Sequence, residues 1–411
     1  MTVPNPSAAV VSGCPVPQRF PLDSTGSRVR IYTHEFSADP HRAYAEMRHR
    51  FGPIAPIELA PGVPAMLVIG YHTALRILHD PDHFPADPRE WQKTVAPDCP
   101  VLPMMEWYPA ARYSTGYAHD RYRRASLAGI DGVDLQAVHD IVEGIAVSLI
   151  DSFKNDGSAE LVGQYAFPLV FAVLNRMIGC PDDVAARMAG GMRARFDSEV
   201  NASEGMEELT SALSELVDLK RRAPGEDITT RLITHDAQLD DHEVAAQLMS
   251  FYAAGVEAQR NLLINTLLLM MTDPDLGGSL LSGTMTTRDA LDEVLFNDPP
   301  MANFCTTYPR QPILIGNVWL PAHQPVLISL AACNTDPAVA GGDRSGNRSH
   351  LAWSAGPHAC PANRVAYLVV QDAIDQLLDV LPQIRLQVAP SALEWRPGPF
   401  HRALTTLPVL F

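Results

Sequence analysis

One segment, Leu248 to Met271 (LMSFYAAGVEAQRNLLINTLLLMM), is apolar on nearly every face. A helix of that kind belongs in the middle of a large protein or across a membrane. Its most apolar run, Asn261 to Met271, falls well short of the roughly 20 residues that span a bilayer. The segment therefore predicts a buried central helix. The chain can enclose one, since 411 residues that are 46% apolar and 19% charged suffice for a large core. Within the helix sit Gly255 and Glu257. A carboxylate at that depth is costly unless hydrogen-bonded or solvated, and glycine thins a helix so that another group can approach its backbone. Two readings stay open for Glu257: a group bordering a cavity, or one member of a structural ion pair with Arg260.

The rest of the chain reads as mainly α with small β-sheets. Asp39 to Gly52 is an amphipathic helix entered through Asp-Pro and left through Gly, followed by PIAPIEL and AMLVIG as a strand pair and YHTALRILHD as a short helix. Helices dominate from about Arg121 to Met271, with breaks at KNDGS, GCPDD and RRAPGED. Beyond Pro299, QPILIGNVWLPAHQPVLISL reads as strands with a tight turn at Gly316-Asn317. From Trp91 to Gly116 a long Pro-rich stretch breaks the pattern, and loops of this length are usually functional or mobile. Its Met104, Met105, Trp107 and Tyr108 either line a pocket or pack the loop on itself. Without repeats or a linker, one domain over 31–411 is expected, after an extended Pro-rich arm over 1–30 that makes a poor signal peptide or anchor.

Charge and cysteines narrow the class. A formal net charge of −16 argues against a nucleic-acid binder, and no membrane association is expected. Six scattered cysteines without a CxxC pair suggest reduced thiols in the cytoplasm. One of them lies in WSAGPHACPANR, Trp353 to Arg364, between a Gly-Pro turn and an amphipathic helix. Proline suits a first helical position, which Pro361 is expected to occupy. Unpaired helix amides would lower the pKa of the Cys360 thiol. Cys360 is then a nucleophile, a metal ligand or a small buried apolar residue. In AHDRYRRAS, His119 and Arg123 share a helical face and either clamp carboxylates or belong to a solvated surface.

Taken in order along the chain, these segments resemble the cytochrome P450 family, and the likeness covers nearly the whole sequence. The family's Phe-Gly-x-Gly-x-His-x-Cys-x-Gly loop is matched by Gly356, His358 and Cys360, with Trp353, Ser354 and Ala362 in the Phe, first Gly and last Gly positions. HDPDHF, NDPP and SLAACNTDPAV are further likenesses. The resemblance implies haem b (iron protoporphyrin IX) between the central helix and the helix after the cysteine loop. It implies Cys360 as the axial iron ligand, His119, Arg123 and His358 on the haem propionates, and Gly255, Glu257 and Ala258 at the oxygen-binding groove. The implied function is a monooxygenase hydroxylating a small or medium apolar metabolite. Its implied partners are dioxygen and electrons from a ferredoxin and ferredoxin reductase that meet a basic patch of Arg121, Arg124 and Arg364. Pocket walls are expected from Trp91 to Gly116, the helices near Arg187 to Met206 and the central helix.

Two departures qualify this. Phe296 stands where the family's Glu-x-x-Arg, begun by Glu293, has its arginine, and a Gly-rich segment replaces the usual meander. Apolar packing is expected in place of that ion-pair network, with Glu293 turning to Arg344 or Arg348. Ala258 replaces a threonine whose hydroxyl relays protons. A substrate hydroxyl or ordered water then completes the relay, or the enzyme uses peroxide, or the protein does not activate dioxygen and serves as an auxiliary or regulatory protein that keeps the fold.

Overall fold

The computed structural model describes residues 27–197, 202–281, 283–341 and 347–411, within which 191–197, 202–204, 206, 280 and 281 enter through their backbone alone. The expected arm lies outside the described residues up to residue 26. Its last two residues, Val29–Arg30, form a strand pairing parallel to Ile57 and Glu58, so that part of the arm belongs to the main sheet.

That sheet has five strands in the order Val29–Arg30, Ile54–Ala60, Val63–Val68, Val326–Ser329, Asn303–Thr307. The expected strand pair is its antiparallel centre, with Ile54 opposite Val68. Its strands are buried almost throughout, which is why they read as continuous apolar runs rather than alternating ones. The helix before them runs Pro40–Phe51 between an Asp39 cap and Gly52. The turn at Gly316-Asn317 joins Ile313–Ile315 to Val318–Leu320, and Gly316 takes a φ of +58° that glycine adopts without a Cβ penalty.

The central helix spans Asp241–Thr272. It opens on a capping box in which Asp240 accepts from the Glu243 amide and Glu243 reaches back to the cap, satisfying two otherwise orphaned donors. Helices Phe167–Ile178, Ala202–Arg222, Thr287–Asn297 and Asn363–Val380 pack against it, burying Leu248, Tyr252, Val256, Leu263 and Leu267. The Pro-rich stretch is less irregular than its sequence suggests. It carries single turns of helix at Leu102–Met105 and Ala111–Tyr113, whose buried Met105 and Tyr113 fold it onto the core.

Candidate functional site

The cysteine loop is built around Gly356, whose φ is +70° and whose place a Cβ would occupy only 2.2 Å from the Leu78 carbonyl oxygen. No other residue fits there without moving the C-terminal end of helix Tyr71–Leu78. Ser354 also sits left-handed, at φ +60°, in the position where glycine was expected by likeness. The Cys360 amide donates to the Trp353 carbonyl at 2.8 Å and closes the loop. The following helix begins at Asn363 with Ala362 as its cap. Pro361 therefore lies in the turn before the helix, not at its first position. Burial pushes the Cys360 thiol up, while the Ala362 amide and the Arg123 guanidinium pull it back. The expected lowering is overturned in this protein alone, because desolvation outweighs the amides.

Facing the thiol is a cluster of basic groups on helix Gly116–Asp131. The His119 and His358 rings lie 4.3 Å apart, and Arg123 donates to the Ala359 carbonyl at 2.6 Å. Burial, with His119 and Arg123 nearby, lowers His358 to about 4. Burial likewise lowers Arg123. Among the described residues His119 Nε2 is buried without a partner, and its Nδ1 meets only exposed Asp120, at 3.2 Å. Apart from exposed Asp120, on the far nitrogen of His119, the cluster holds no acid among the described residues and makes a cradle for an anion.

Cys360, His358, His119 and Arg123 all line one cavity of about 340 Å³. Its other walls are apolar: Met104 and Met105, then Val170, Val173, Leu174 and Met177 of helix Phe167–Ile178, and Phe304. Among the described residues no Asp or Glu lines it, and Arg112 joins from the Pro-rich stretch with its guanidinium 3.8 Å from the Phe304 ring centroid. The expected wall near Arg187 to Met206 falls mostly on side chains outside the described residues, and helix Phe167–Ile178 supplies a wall besides. Trp107 and Tyr108 turn elsewhere, Trp107 under Arg89 and Tyr108 against Tyr113.

The central helix presents Ala254, Gly255, Ala258 and Gln259 to the cavity, but not Glu257. Glu257 is 1% exposed and is bound by Arg260 at 2.8 Å, by Arg396 and by Asn261 at 3.1 Å. Burial alone would raise it; His401, Arg396 and Arg260 outweigh burial and hold it at about 2. Burial keeps His401 itself low, at about 4, so the two guanidiniums do the pairing at neutral pH. Of the two readings left open, the ion pair with Arg260 is the one observed. Arg396 completes it, 139 residues away in sequence, where local spacing carries no trace of it.

The lost Glu-x-x-Arg pair is not replaced by apolar packing alone. Asp292, one residue before Glu293, accepts from Arg348 Nε at 2.8 Å and from the Tyr367 hydroxyl, with Arg288 at 3.8 Å and His350 at 3.8 Å. Phe296 packs edge-on against His350 at 5.0 Å. Tyr367 in turn receives the Trp353 indole N–H at 3.4 Å, joining this network to the cysteine loop. Glu293 accepts from Asn297 at 2.6 Å. Of its two expected partners, Arg348 goes to Asp292, and Arg344 lies outside the described residues. Arg121 is also committed, to Glu243 at 2.5 and 2.8 Å and to the Ala237 and Gln238 carbonyls. It is therefore lost to the expected basic patch, whereas Arg124 and Arg364 are exposed.

A helix-rich protein with a cysteine at a tight loop before a long helix, facing a basic cradle across an apolar cavity, defines a class that the comparisons identify. The cytochrome P450 monooxygenase PikC of Streptomyces venezuelae is 27% identical over 392 residues, 91% of this chain and 92% of its own. The 6-deoxyerythronolide B hydroxylase of Saccharopolyspora erythraea is 25% identical over 404 residues, 92% and 98% of the two chains. The solved structure of CYP154C4 from Streptomyces sp. W2061 superposes with a TM-score of 0.84 at 22% identity, covering 93% of this chain and 97% of that one, and shares the fold. No family model matches the chain. The chain belongs to the cytochrome P450 family, a haem-iron family, and is an oxidoreductase of the monooxygenase class. Among the described residues no helix is long and apolar enough to cross a membrane.

Proposed function

We propose that the protein is a haem-thiolate monooxygenase of the cytoplasm that hydroxylates a small or medium apolar organic molecule. Dioxygen is the oxidant, and a ferredoxin with its reductase supplies the electrons. The observation that carries this reading is the convergence of Cys360 and the basic cluster of His119, Arg123 and His358 on one largely apolar cavity. The donor set fits haem b: a thiolate for the iron, and the buried His119 Nε2 with the Arg123 guanidinium for the propionates. When bound through Cys360, haem b supplies oxygen activation and transfer, with the thiolate donating electron density to the iron. His119 Nε2 and Arg123 hold propionate oxygens by charge-assisted bonds, and His358 completes the cradle. Met104, Met105, Val173 and Leu174 bind the apolar substrate and exclude water. Glu257, fixed as a carboxylate by Arg260 and Arg396, keeps its place in the helix and does not itself release a proton at neutral pH.

The test is spectroscopic. The reduced protein with carbon monoxide should show the red-shifted Soret band of a thiolate ligand. Cys360→Ser should abolish that band, while Cys99→Ser and Cys180→Ser should keep it. A band that survives Cys360→Ser sinks the assignment. Ala258 together with the paired Glu257 favours a second reading, an auxiliary or peroxide-driven protein. Product formed with dioxygen and an electron donor, compared with product formed from hydrogen peroxide, separates the two.

A further inference from the structure

This inference rests on the monooxygenase reading and concerns which molecules the cavity selects. Arg112 enters the cavity from the Pro-rich stretch, on the single turn Ala111–Tyr113, and differs from the other arginines around the site. Arg121 is paired with Glu243, Arg260 and Arg396 with Glu257, and Arg123 donates to the Ala359 carbonyl. Arg112 has no carboxylate partner among the described residues. Its guanidinium lies over the Phe304 ring, 3.8 Å from the centroid, with the Tyr113 ring at 4.8 Å. Its hydrogen-bond acceptor among the described residues is the Met104 carbonyl, which takes Nη2 at 3.3 Å and the Tyr113 hydroxyl at 3.2 Å. Nε and Nη1 make no such bond, and neither is sealed from the cavity as His119 Nε2 is from its surroundings.

A guanidinium carries five N–H donors in a planar fork whose edge matches a carboxylate. An aromatic ring covers its face by a cation–π contact and leaves that edge to another partner. Placing such a cation among apolar walls is costly unless an anion offsets it. No acid among the described residues lines the cavity to do so. The haem propionates proposed above have His119 and Arg123, which stand beside His358 and Ala359 of the cysteine loop. Arg112 faces a different wall. It stacks on the strand Asn303–Thr307, and the groups that feel its charge are Cys305, Tyr308 and His401. Burial keeps His401 uncharged at neutral pH, so a single positive charge is offered there. One such charge balances a carboxylate and leaves a doubly ionised phosphate half compensated.

We propose that Arg112 is a specificity-determining residue that binds a carboxylate, and that the substrate is accordingly an apolar organic acid. The guanidinium edge takes the carboxylate, while Met104, Met105, Val173 and Leu174 enclose the apolar remainder.

The experiment uses the full-length haem-loaded protein and compares wild type, Arg112→Leu and Arg112→Lys. The thiolate carbon monoxide band first establishes that each is folded and loaded. The probes are hexanoate, octanoate, decanoate, dodecanoate, cinnamate and abietate, each set against its own primary amide at neutral pH. Binding is read by calorimetry, which also registers ligands that leave the haem spectrum unchanged. At least one acid should bind wild type roughly tenfold more tightly than its amide, as one charge-assisted pair requires. Arg112→Leu should lose that preference, and Arg112→Lys, which keeps the charge without the fork, should retain part of it. A panel in which no acid binds wild type better than its amide overturns the proposal and leaves the monooxygenase reading standing, as does an acid preference undiminished in Arg112→Leu. If Arg112→Leu keeps that preference and releases haem under mild urea as readily as His119→Ala does, the carboxylate at Arg112 is a haem propionate, and the proposal falls for that reason. Absence of the thiolate band in wild type overturns the haem reading and this inference with it.

Discussion

At the scale of single residues, Glu257 shows how burial and pairing compete. Burial raises a carboxyl pKa and nearby cations lower it; here the cations win and the group sits at about 2. A carboxyl lowered on folding adds stability that is complete above its unfolded value, near 4.5, and disappears as pH falls through the folded one. Glu257→Gln is expected to destabilise the protein by about 3 to 5 kcal/mol at pH 7, because it leaves the Arg260 and Arg396 guanidiniums without their counter-charge. The difference between the two proteins should narrow between pH 4.5 and about 2. Urea unfolding at a series of pH values checks this, and a pH-independent difference would mean that Glu257 is not held ionised. The Gly255 beside it is less constrained than its sequence context suggests. A Cβ there would meet Leu174 at 3.5 Å and Gln259 at 3.7 Å, which are ordinary contacts.

At the scale of elements, helix Thr287–Asn297 is where the chain departs from its family's pattern and repairs the loss. Tyr367 on the helix after the cysteine, Arg348 before the cysteine loop and Asp292 form one unit, and Trp353 links it to the loop. Asp292→Asn keeps the shape and removes the charge. It should cost about 1 kcal/mol, because Arg348 is half exposed and water can solvate it once the charge is gone, and should speed conversion of the thiolate carbon monoxide band to its inactive, blue-shifted form under mild urea. Tyr367→Phe should do the same to a lesser degree; a band as durable as wild type in both variants would separate this network from the cysteine loop. The contrast explains what could be read in advance. The central helix, the His119–Arg123 face and the cysteine loop are local patterns, in which spacing and turn chemistry fall within a dozen residues. Asp292 meets its partners 56 and 75 residues on, and nothing in DEVLF announces that the paired carboxylate has moved back one position. The start of the last helix was misjudged for a related reason: Pro361 suits a first helical position, but the loop places Cys360 and two turn residues ahead of Asn363. The wall from Phe167–Ile178 was missed because its apolar residues read simply as core.

At the scale of the whole molecule, a formal charge of −16 would oppose approach of the acidic ferredoxin proposed above, so its docking would rely on a local exception. Arg121 is withdrawn from that role by Glu243, whose carboxyl its hydrogen bonds hold at about 2. Arg124 and Arg364 remain exposed. Arg124 follows Arg123, whose guanidinium reaches Ala359 of the cysteine loop, and Arg364 comes four residues after Cys360, so these two are the exposed arginines nearest in sequence to the groups that would hold the haem. Surface charges of this kind act on the rate of encounter and are screened within about 8 Å at physiological salt. Arg124→Glu with Arg364→Glu should slow reduction by a ferredoxin by roughly tenfold at low ionic strength. The gap should close as salt rises, with the resting spectrum and thermal midpoint unchanged. Arg121→Ala should behave in the opposite way. It should lower the thermal midpoint by stranding Glu243 and leave the salt dependence of reduction as it was. Stopped-flow reduction across a salt series distinguishes the two, and equal rates for wild type and the double variant at low salt would move the docking surface away from the cysteine loop.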